Sequence, residues 1–509
     1  MALKTKPEDN GFVGRNGQST SEMVMDRNQQ NSATTVSSNS THDTTAQSAN
    51  SSSRKPRVLI VGGGFAGLEA AKTLAGQGVR IDIVDPTNHH LFQPLLYQVA
   101  TAALPAPSIA APLRSIVRDD PDTRVFRAKV LSIDPISKTA ALDTGRVIEF
   151  DALILDAGSQ TSYFGRDEWA AKAPGLKNLS DAQKIRRKIF EAFELAEGAC
   201  GPAAKAKLLR FAIIGAGPTG VELAGALAQI ARETLPGEFR SFNPADAKIM
   251  LIDGGKLPLA PLGEKLGLKA KNDLEEMGVE LISGARVANV ETDHIEYDQD
   301  GVRHRLDAQV IIWAAGVQAN PIAKALGESL SLAADRGGRL TPDADLSLPG
   351  APCLFVAGDL AAAKGPKGEN VPGLASSAKQ MGRACALNVL RVFRGQPTEA
   401  FVWKDSGSMA TIGRGRAVAK FSHFSITGPV AWALWLLAHV YFLVGWSNRF
   451  LTLTNWMFAL GSFGRGSRAI WREEDAPTAA SVGTTAAPAQ ASETAIATAG
   501  GSPSAVKAA

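Results

Sequence analysis

The sequence predicts an α/β protein with two Rossmann-like dinucleotide-binding units, one inserted in the other, followed by a helical C-terminal region. Three observations predict it: the glycine fingerprint VLIVGGGFAGLEAA at Val58–Ala71, a second copy FAIIGAGPTGVELAG at Phe211–Gly225, and a later apolar run, PCLFVAGDLAA at Pro352–Ala362, with no fingerprint of its own. Each fingerprint is a β-branched run feeding G-x-G-x-x-G and then a helix former, the context in which backbone amides approach a pyrophosphate at a helix N-terminus. Two copies imply a pair of dinucleotides held side by side, and so a flavin fed by a nicotinamide.

The elements follow in order. Arg57–Val61 is a strand, Ala66–Ala75 a helix, and Val79–Val84 a second strand ending in Asp85, 23 residues after Gly62. That spacing suits an acid that accepts from ribose hydroxyls. Gly62, Gly64, Phe65, Ala66, Gly67 and Asp85 are therefore expected at FAD. The second unit repeats the plan with a strand at Phe211–Ile214, a helix opening at Thr219 and a strand Lys248–Ile252 ending in Asp253. Gly215, Gly217, Pro218, Thr219, Gly220 and Asp253 are expected at NADH, and a carboxylate at 253 would repel a 2′-phosphate, favouring NADH over NADPH. Asp151–Ser159 and Gln309–Val317 read as crossover strands whose small-residue ends, Gly158 in one and Ala315 and Gly316 in the other, face the cofactors. The run at Pro352–Ala362 returns to the first unit as a buried strand, and Asp359 after Gly358 reaches the ribityl or pyrophosphate part of FAD from the opposite side.

Composition narrows the classes. The 54 basic and 50 acidic residues leave a formal net charge of +4, which gives no support for nucleic-acid binding. Cys200, Cys353 and Cys385 are far apart and form no C-x-x-C, so no disulfide framework, thiol redox pair or zinc site is expected. His89 and His90, the one adjacent pair of histidines, read as a polar loop after a strand, and no metal site is expected. Residues 1–54 and 473–509 are poor in large apolar side chains and read as disordered tails. Between them the expected divisions are an FAD unit at 55–178, an NADH unit at 179–330, a second FAD part at 331–400 and a membrane-associating region at 401–472.

GGGFAGLEAA, HHLFQPLLYQVATAAL, GAGPTGVELAG, WAAGV, DRGGRL and VAGDLA occur in an order and spacing that resembles the type II NADH dehydrogenases from about Val58 to Trp471. The resemblance implies a single-subunit flavoprotein that oxidises NADH, reduces a membrane quinone (ubiquinone or menaquinone) and pumps no protons. It adds Val130 and Ala378 to the FAD contacts. It also makes Glu222, two residues past the last fingerprint glycine, a group facing nicotinamide and flavin that orients NADH or relays protons; a helix-start carboxylate stabilised by the macrodipole would equally explain a Glu there. The family's A-Q-x-A-x-Q element reads Ala375-Ser376-Ser377-Ala378-Lys379-Gln380, which places Ser376, Lys379 and Gln380 at the quinone, with Ser replacing the first Gln; the alternative is a helix start capped by Ser376 or Ser377.

From Phe424 to Phe463 the chain is apolar and rich in tryptophan, with no Asp, Glu, Lys or Arg between Lys420 and Arg449. A helix over Pro429–Trp446 would be roughly 27 Å long, near the hydrocarbon thickness of a bilayer. Trp432, Trp435, Tyr441, Trp446 and Trp456 suit a membrane interface, and Arg449, Arg465, Arg468 and Arg472 suit anionic headgroups. A monotopic arrangement is preferred to a single crossing, because it keeps the basic flanks on one face. That implies the cytoplasmic face of the cell inner membrane. A homodimer is open.

Hydride transfer between two bound carriers is mostly positioning, with the reacting atoms roughly 3 to 3.5 Å apart. Sulfide:quinone and disulfide reductases need paired cysteines that the chain lacks. A soluble ferredoxin or rubredoxin reductase would keep both fingerprints but have no use for the C-terminal apolar segment, and a non-enzymatic flavoprotein scaffold is the remaining alternative.

Overall fold

The computed structural model describes residues 54–462 and 468–470. The predicted tails, and Arg465 and Arg472, lie outside the described residues apart from Arg54. The chain enters at β1 (Arg57–Val61), passes through α1 (Phe65–Leu74), β2 (Arg80–Asp85), the short α2 (Leu96–Ala100) and β3 (Thr123–Arg127), and returns beside β1 as β4 (Ala152–Leu155). These strands lie in the order β4-β1-β2-β3, all parallel. After α3 (Leu179–Gly198) the plan repeats with β5 (Arg210–Ile214), α4 (Pro218–Gln229), β6 (Lys248–Asp253), β7 (Val279–Ser283) and β8 (Val310–Trp313), in the parallel order β8-β5-β6-β7. The chain then returns to the first sheet as β9 (Ala351–Val356), parallel to β4, which makes the second unit an insertion in the first. In each unit a three-stranded antiparallel meander precedes the fourth parallel strand, at Val130–Glu149 and at Arg286–Asp307.

The strands form where the apolar runs stand because both sheet faces are covered. Val58, Leu59 and Ile60 of β1 are fully buried, as are Phe211, Ala212 and Ile213 of β5, so a continuous apolar run rather than alternation is the signature. Registers match as well: Val61 faces Val84, and Ile214 faces Ile252. This parity puts both glycine turns and both following acids at the same edge of their sheets. Helix α3 is started by a capping box, Asn178 accepting from Asp181 N at 2.9 Å while the Asp181 carboxylate accepts from Asn178 N at 3.1 Å.

The C-terminal region begins with α5 (Ala375–Phe393), which packs on α1 so tightly that a Cβ on Gly382 would lie 2.1 Å from Ala66 O. An antiparallel sheet follows, β10 (Ser408–Gly413), β11 (Arg416–Lys420) and β12 (Ser425–Thr427), then α6 (Gly428–Phe442) and α7 (Trp446–Ser462). Helix α6 does not run the whole length of Pro429–Trp446: it ends at Phe442, and Gly445, at φ +90°, turns the chain into α7. Fifteen residues reach only about 22 Å, and no helix of the described residues is long and apolar enough to cross a membrane.

Several interface expectations are corrected. Trp435 and Trp456 are buried, 1% and 8% exposed, and pack 5.9 Å apart inside the protein. Trp432 packs against the buried alanines of β11 and α6. Tyr441 and Trp446 do stand out, Trp446 80% exposed. Arg449 closes the end of α6 instead of standing free, donating from Nε to Leu443 O and from Nη2 to Tyr441 O, each at 2.8 Å. Arg468 pairs with Glu238.

Helix α4 lies against β10, where a Cβ on Gly225 would come within 1.6 Å of Ile412 O. Gly225→Ala is therefore expected to lower the unfolding free energy by about 3 kcal/mol through overpacking against backbone that cannot yield. A shift of the urea midpoint at constant m-value checks it.

Candidate active site

Two cradles of one design occupy the sheet edges. In the first, Gly62 turns at φ +110°, where a Cβ would meet Asp156 O at 1.9 Å, and a Cβ on Gly67 would meet Gly62 O at 2.0 Å. In the second, Gly215 turns at φ +103° with its Cβ position 2.7 Å from the Ala314–Ala315 backbone, and a Cβ on Gly220 would meet Gly215 O at 1.8 Å. Any side chain at these four places would push helix from strand. The helices open on Gly64 and Gly217, N-caps that carry no side chain to cap them; at α4 this leaves amides for an anionic ligand, whereas at α1 the Gly67 amide already donates to Asp156 Oδ2 at 2.7 Å. Phe65 and Ala66 open α1, and Pro218 and Thr219 open α4. A helix start above a turn without Cβ atoms fits a dinucleotide in both units.

The two acids are held alike. Asp85 accepts from Gly63 N at 2.7 Å and from Thr87 N at 2.7 Å; Asp253 accepts from Ala216 N and Gly255 N, both at 2.6 Å. Each carboxylate is thus pinned to its own glycine turn, with lone pairs to spare for ribose hydroxyls.

Opposite the first fingerprint, β9 ends in the 3₁₀ turn Gly358–Leu360. Gly358, at φ +66°, faces Asp156 and Ala378: its Cβ position is 2.5 Å from Asp156 Oδ1 and 3.8 Å from Ala378 Cβ. Asp359 accepts from Ser159 Oγ, and Ser159 Oγ accepts from Lys177 Nζ at 2.9 Å. Burial pulls the Lys177 ammonium down, and Asp359 counters it. Gly158 (φ +66°) precedes this relay, and its carbonyl accepts from Asn320 N at 3.0 Å. Val130 is buried at the start of the first meander. On the NADH side, Gly316 (φ +79°) abuts Phe164, and Ala315 O accepts from Trp313 Nε1 at 2.5 Å.

Asp156, Ser159 and Lys177 escaped the sequence-based reading. The signal for Asp156 was available in the repeat itself: where the second copy has Trp313-Ala314-Ala315-Gly316, the first has Leu155-Asp156-Ala157-Gly158. Asp156 N donates to Val61 O at 2.8 Å as Ala314 N donates to Ile214 O at 2.7 Å, so the positions are equivalent. His90 was read as part of a polar loop, yet its ring is buried against Phe65, with Nδ1 on Gly63 O at 3.0 Å and burial pulling it down to about 4.

Glu222 lies on α4 and lines a cleft with Tyr97, Gln98, Trp432, Trp435 and Trp456. Burial raises its carboxyl well above the usual range, only partly offset by Thr411 N–H. The macrodipole alternative would hold this carboxyl low, so burial wins. Across the cleft, Trp456 Nε1 donates to Gln98 Oε1 at 2.8 Å, while Trp435 Nε1 is buried with no partner among the described residues. His439 stacks on Trp435 at 4.0 Å and is pulled down to about 4 by burial, so it is neutral at pH 7.

At the start of α5 the serine-cap alternative fails. The helix is capped at Leu374 without a side-chain bond, and Ser377 accepts from Trp403 Nε1 at 3.2 Å. Ser376 is half-buried in the first turn. Gln380 exchanges two bonds with the Lys404 backbone, at 3.0 and 2.9 Å, which leaves it one amide hydrogen and spare acceptor capacity. Lys379 lies 3.5 Å from Glu69 and 5.5 Å above the Phe442 ring, tying α5 to the end of α6.

The chain matches the pyridine nucleotide-disulphide oxidoreductase family model over residues 56–382 and the NDH2 C-terminal domain model over residues 405–465. It is 40% identical over 424 residues to the type II NADH:quinone oxidoreductase Ndh of Mycobacterium tuberculosis, covering 82% of this chain and 90% of that protein. To an internal alternative NAD(P)H-ubiquinone oxidoreductase of Arabidopsis thaliana mitochondria it is 29% identical, over 79% of this chain and 84% of that protein. The fold is shared with NDH2 of Plasmodium falciparum in complex with NADH, at TM-score 0.73 and 18% identity, covering 81% of this chain and 99% of that one.

The buried Glu222 carboxyl has a consequence for stability. Unfolded, it ionises near about 4.3, and the native state holds it protonated to higher pH, so native stability from this group falls as pH rises through the raised folded value. Glu222→Gln removes that loss. The stability of the variant relative to wild type is expected to grow between pH 5 and pH 8, measured as urea midpoints at the two pH values; a constant difference contradicts it.

Proposed function

The chain belongs to the type II NADH:quinone oxidoreductases, FAD-dependent enzymes that pass electrons from NADH to quinone without pumping protons, and we propose that its quinone is reduced beside Glu222 at a lipid surface. FAD, held by the first cradle, would supply the two-electron redox chemistry between NADH and quinone. What remains for the chain is to hold the two carriers and to manage the protons that turn a quinone into a quinol.

Gly62, Gly64, Phe65, Ala66, Gly67, Asp85, Val130, Gly158, Gly358, Asp359 and Ala378 hold FAD in this proposal. Gly215, Gly217, Pro218, Thr219, Gly220, Asp253, Ala315 and Gly316 hold NADH. The glycines admit the pyrophosphates, and the two turn-bound acids face the riboses. The observation that carries the quinone assignment is Glu222 itself: it sits on the helix that opens the NADH cradle, yet lines the cleft walled by the C-terminal helices. Burial holds its carboxyl well above the usual carboxylate range, the direction that suits a proton donor to a quinone oxygen. Trp435 Nε1 adds an unpaired donor in the cleft wall. Ser376, Lys379 and Gln380 contact the quinone from α5, and the Lys379–Phe442 contact joins that helix to α6.

A quinone is lipid-soluble, so the cleft must face lipid. Leu437, Tyr441, Trp446, Phe450 and Met457 stand exposed on α6 and α7, a large apolar surface whose energy is recovered by insertion into a headgroup layer. We place this surface on the cytoplasmic face of the cell inner membrane, in a monotopic arrangement.

Glu222→Gln is expected to retain FAD, seen as an unchanged ratio of flavin to protein absorbance, while kcat with a soluble quinone falls about a hundredfold. Unchanged turnover would refute the role. Replacing Tyr441, Trp446 and Phe450 by Ser is expected to release the protein from sedimented phospholipid vesicles with soluble-quinone turnover intact. Continued sedimentation would end the docking assignment.

A further inference from the structure

Asp156 is a carboxyl group where the fold needs none. The equivalent residue of the second unit is Ala314, and both follow a buried parallel strand whose hydrogen bonds they continue. The fold is therefore made equally well with a methyl group at this place. Asp156 is 5% exposed, and its Oδ2 accepts from Gly67 N at 2.7 Å, the third amide of α1, with Ala66 N a further donor. A Cβ on Gly64 would lie 3.0 Å from the same oxygen. The carboxyl is thus built into the helix start from which the first unit addresses the FAD pyrophosphate.

The charges around it are unfavourable for a carboxylate. Asp359, on the turn after β9, and Asp85, at the end of β2, both act to keep it protonated, and the neighbouring titratable group on α5 is the buried Cys385 thiol. Among the described residues no Lys, Arg or His makes an ion pair with it. The nearby lysine, Lys177, is spent on Ser159 and Asp359. Of the two carboxyls flanking Gly358, Asp359 therefore has a donor relay and a cation behind it, and Asp156 has only amides. A helix start alone favours an anion, but a pyrophosphate arriving at the same amides is a second anion in a site from which water is excluded. Two anions cannot share that helix end at low cost, whereas a neutral acid can hydrogen-bond a phosphate oxygen.

We propose that Asp156 binds one proton with FAD and, as the neutral acid, positions the pyrophosphate between the α1 start and the Gly358–Asp359 turn. Oδ2 stays an acceptor for Gly67 N, so the proton resides on Oδ1. Gly358 leaves Oδ1 its room, since a Cβ there would approach to 2.5 Å. Flavin retention then depends on pH. Above the ionisation of Asp156 in the flavin-free protein, the one proton taken up with each FAD makes binding weaken by up to about tenfold per pH unit, until the holoprotein group also ionises. This inference rests on the first unit holding FAD.

The test is ultrafiltration of the full-length holoprotein between pH 6 and pH 9.5, with free FAD read by fluorescence and far-UV circular dichroism recorded at each pH. Wild type is expected to release FAD increasingly as pH rises while its circular dichroism is unchanged. Asp156→Asn, which keeps the size and a donor but cannot ionise, is expected to hold FAD evenly through pH 9. Asp156→Ala should also be flat with pH but bind more weakly throughout. An Asn variant that tracks the wild-type curve, or that sheds FAD already at pH 7, overturns the proposal, as does a flat wild-type curve. A wild-type protein that carries no FAD at any pH would instead overturn the cofactor assignment beneath it.

Discussion

The architecture depends on a backbone contact made twice: the third fingerprint glycine against the carbonyl of the first. Gly67 over Gly62 and Gly220 over Gly215 bring each helix start to within a Cβ's radius of the strand end that precedes it. That approach brings the helix amides to the sheet edge, and it holds the following acid, Asp85 or Asp253, against the turn. In the proposed assignment a pyrophosphate and a ribose meet these groups in order, so one steric constraint sets both cradles.

The same constraint is applied to two anionic cofactors with different surroundings. The NADH unit backs its turn with Ala314 and Ala315. The FAD unit backs its turn with Asp156 and faces it with Gly358 and Asp359, so charge is denser there. The Lys177–Ser159–Asp359 relay balances one of the acids. The meanders and strand orders are alike, which shows that the difference lies in side chains placed on a common frame and not in the frame.

The proposed quinone site draws on a third part of the chain. Helix α4 opens the NADH cradle at Pro218 and, one turn on, places Glu222 in a cleft whose other walls are α2, β10, α6 and α7. Gly225 lets β10 lie directly on α4, so the C-terminal sheet is seated against the nicotinamide unit. The C-terminal helices then divide their aromatic residues: Trp435 and Trp456 face inward, and Tyr441 and Trp446 face out. One segment thereby lines a cleft and presents an exposed apolar surface.

Much of this was legible in the chain alone. The parallel strands, both glycine turns, both acids, the Gly358–Asp359 turn and the insertion follow from local rules: continuous apolar runs, positions that exclude a Cβ, and fixed spacing from turn to acid. Hydropathy left open how Pro429–Trp446 is arranged, because it counts apolar residues without regard to where Gly445 breaks the helix or which tryptophans find protein partners. The Lys177–Ser159–Asp359 relay and the inward burial of Trp435 became visible only when segments distant in sequence were brought together, as did the ties of Gln380 to Lys404 and of Lys379 to Phe442. Turn conformation is a property of a few consecutive residues, so sequence decides it. The protonation of a buried carboxyl is a property of everything packed around it, and only the tertiary structure decides that.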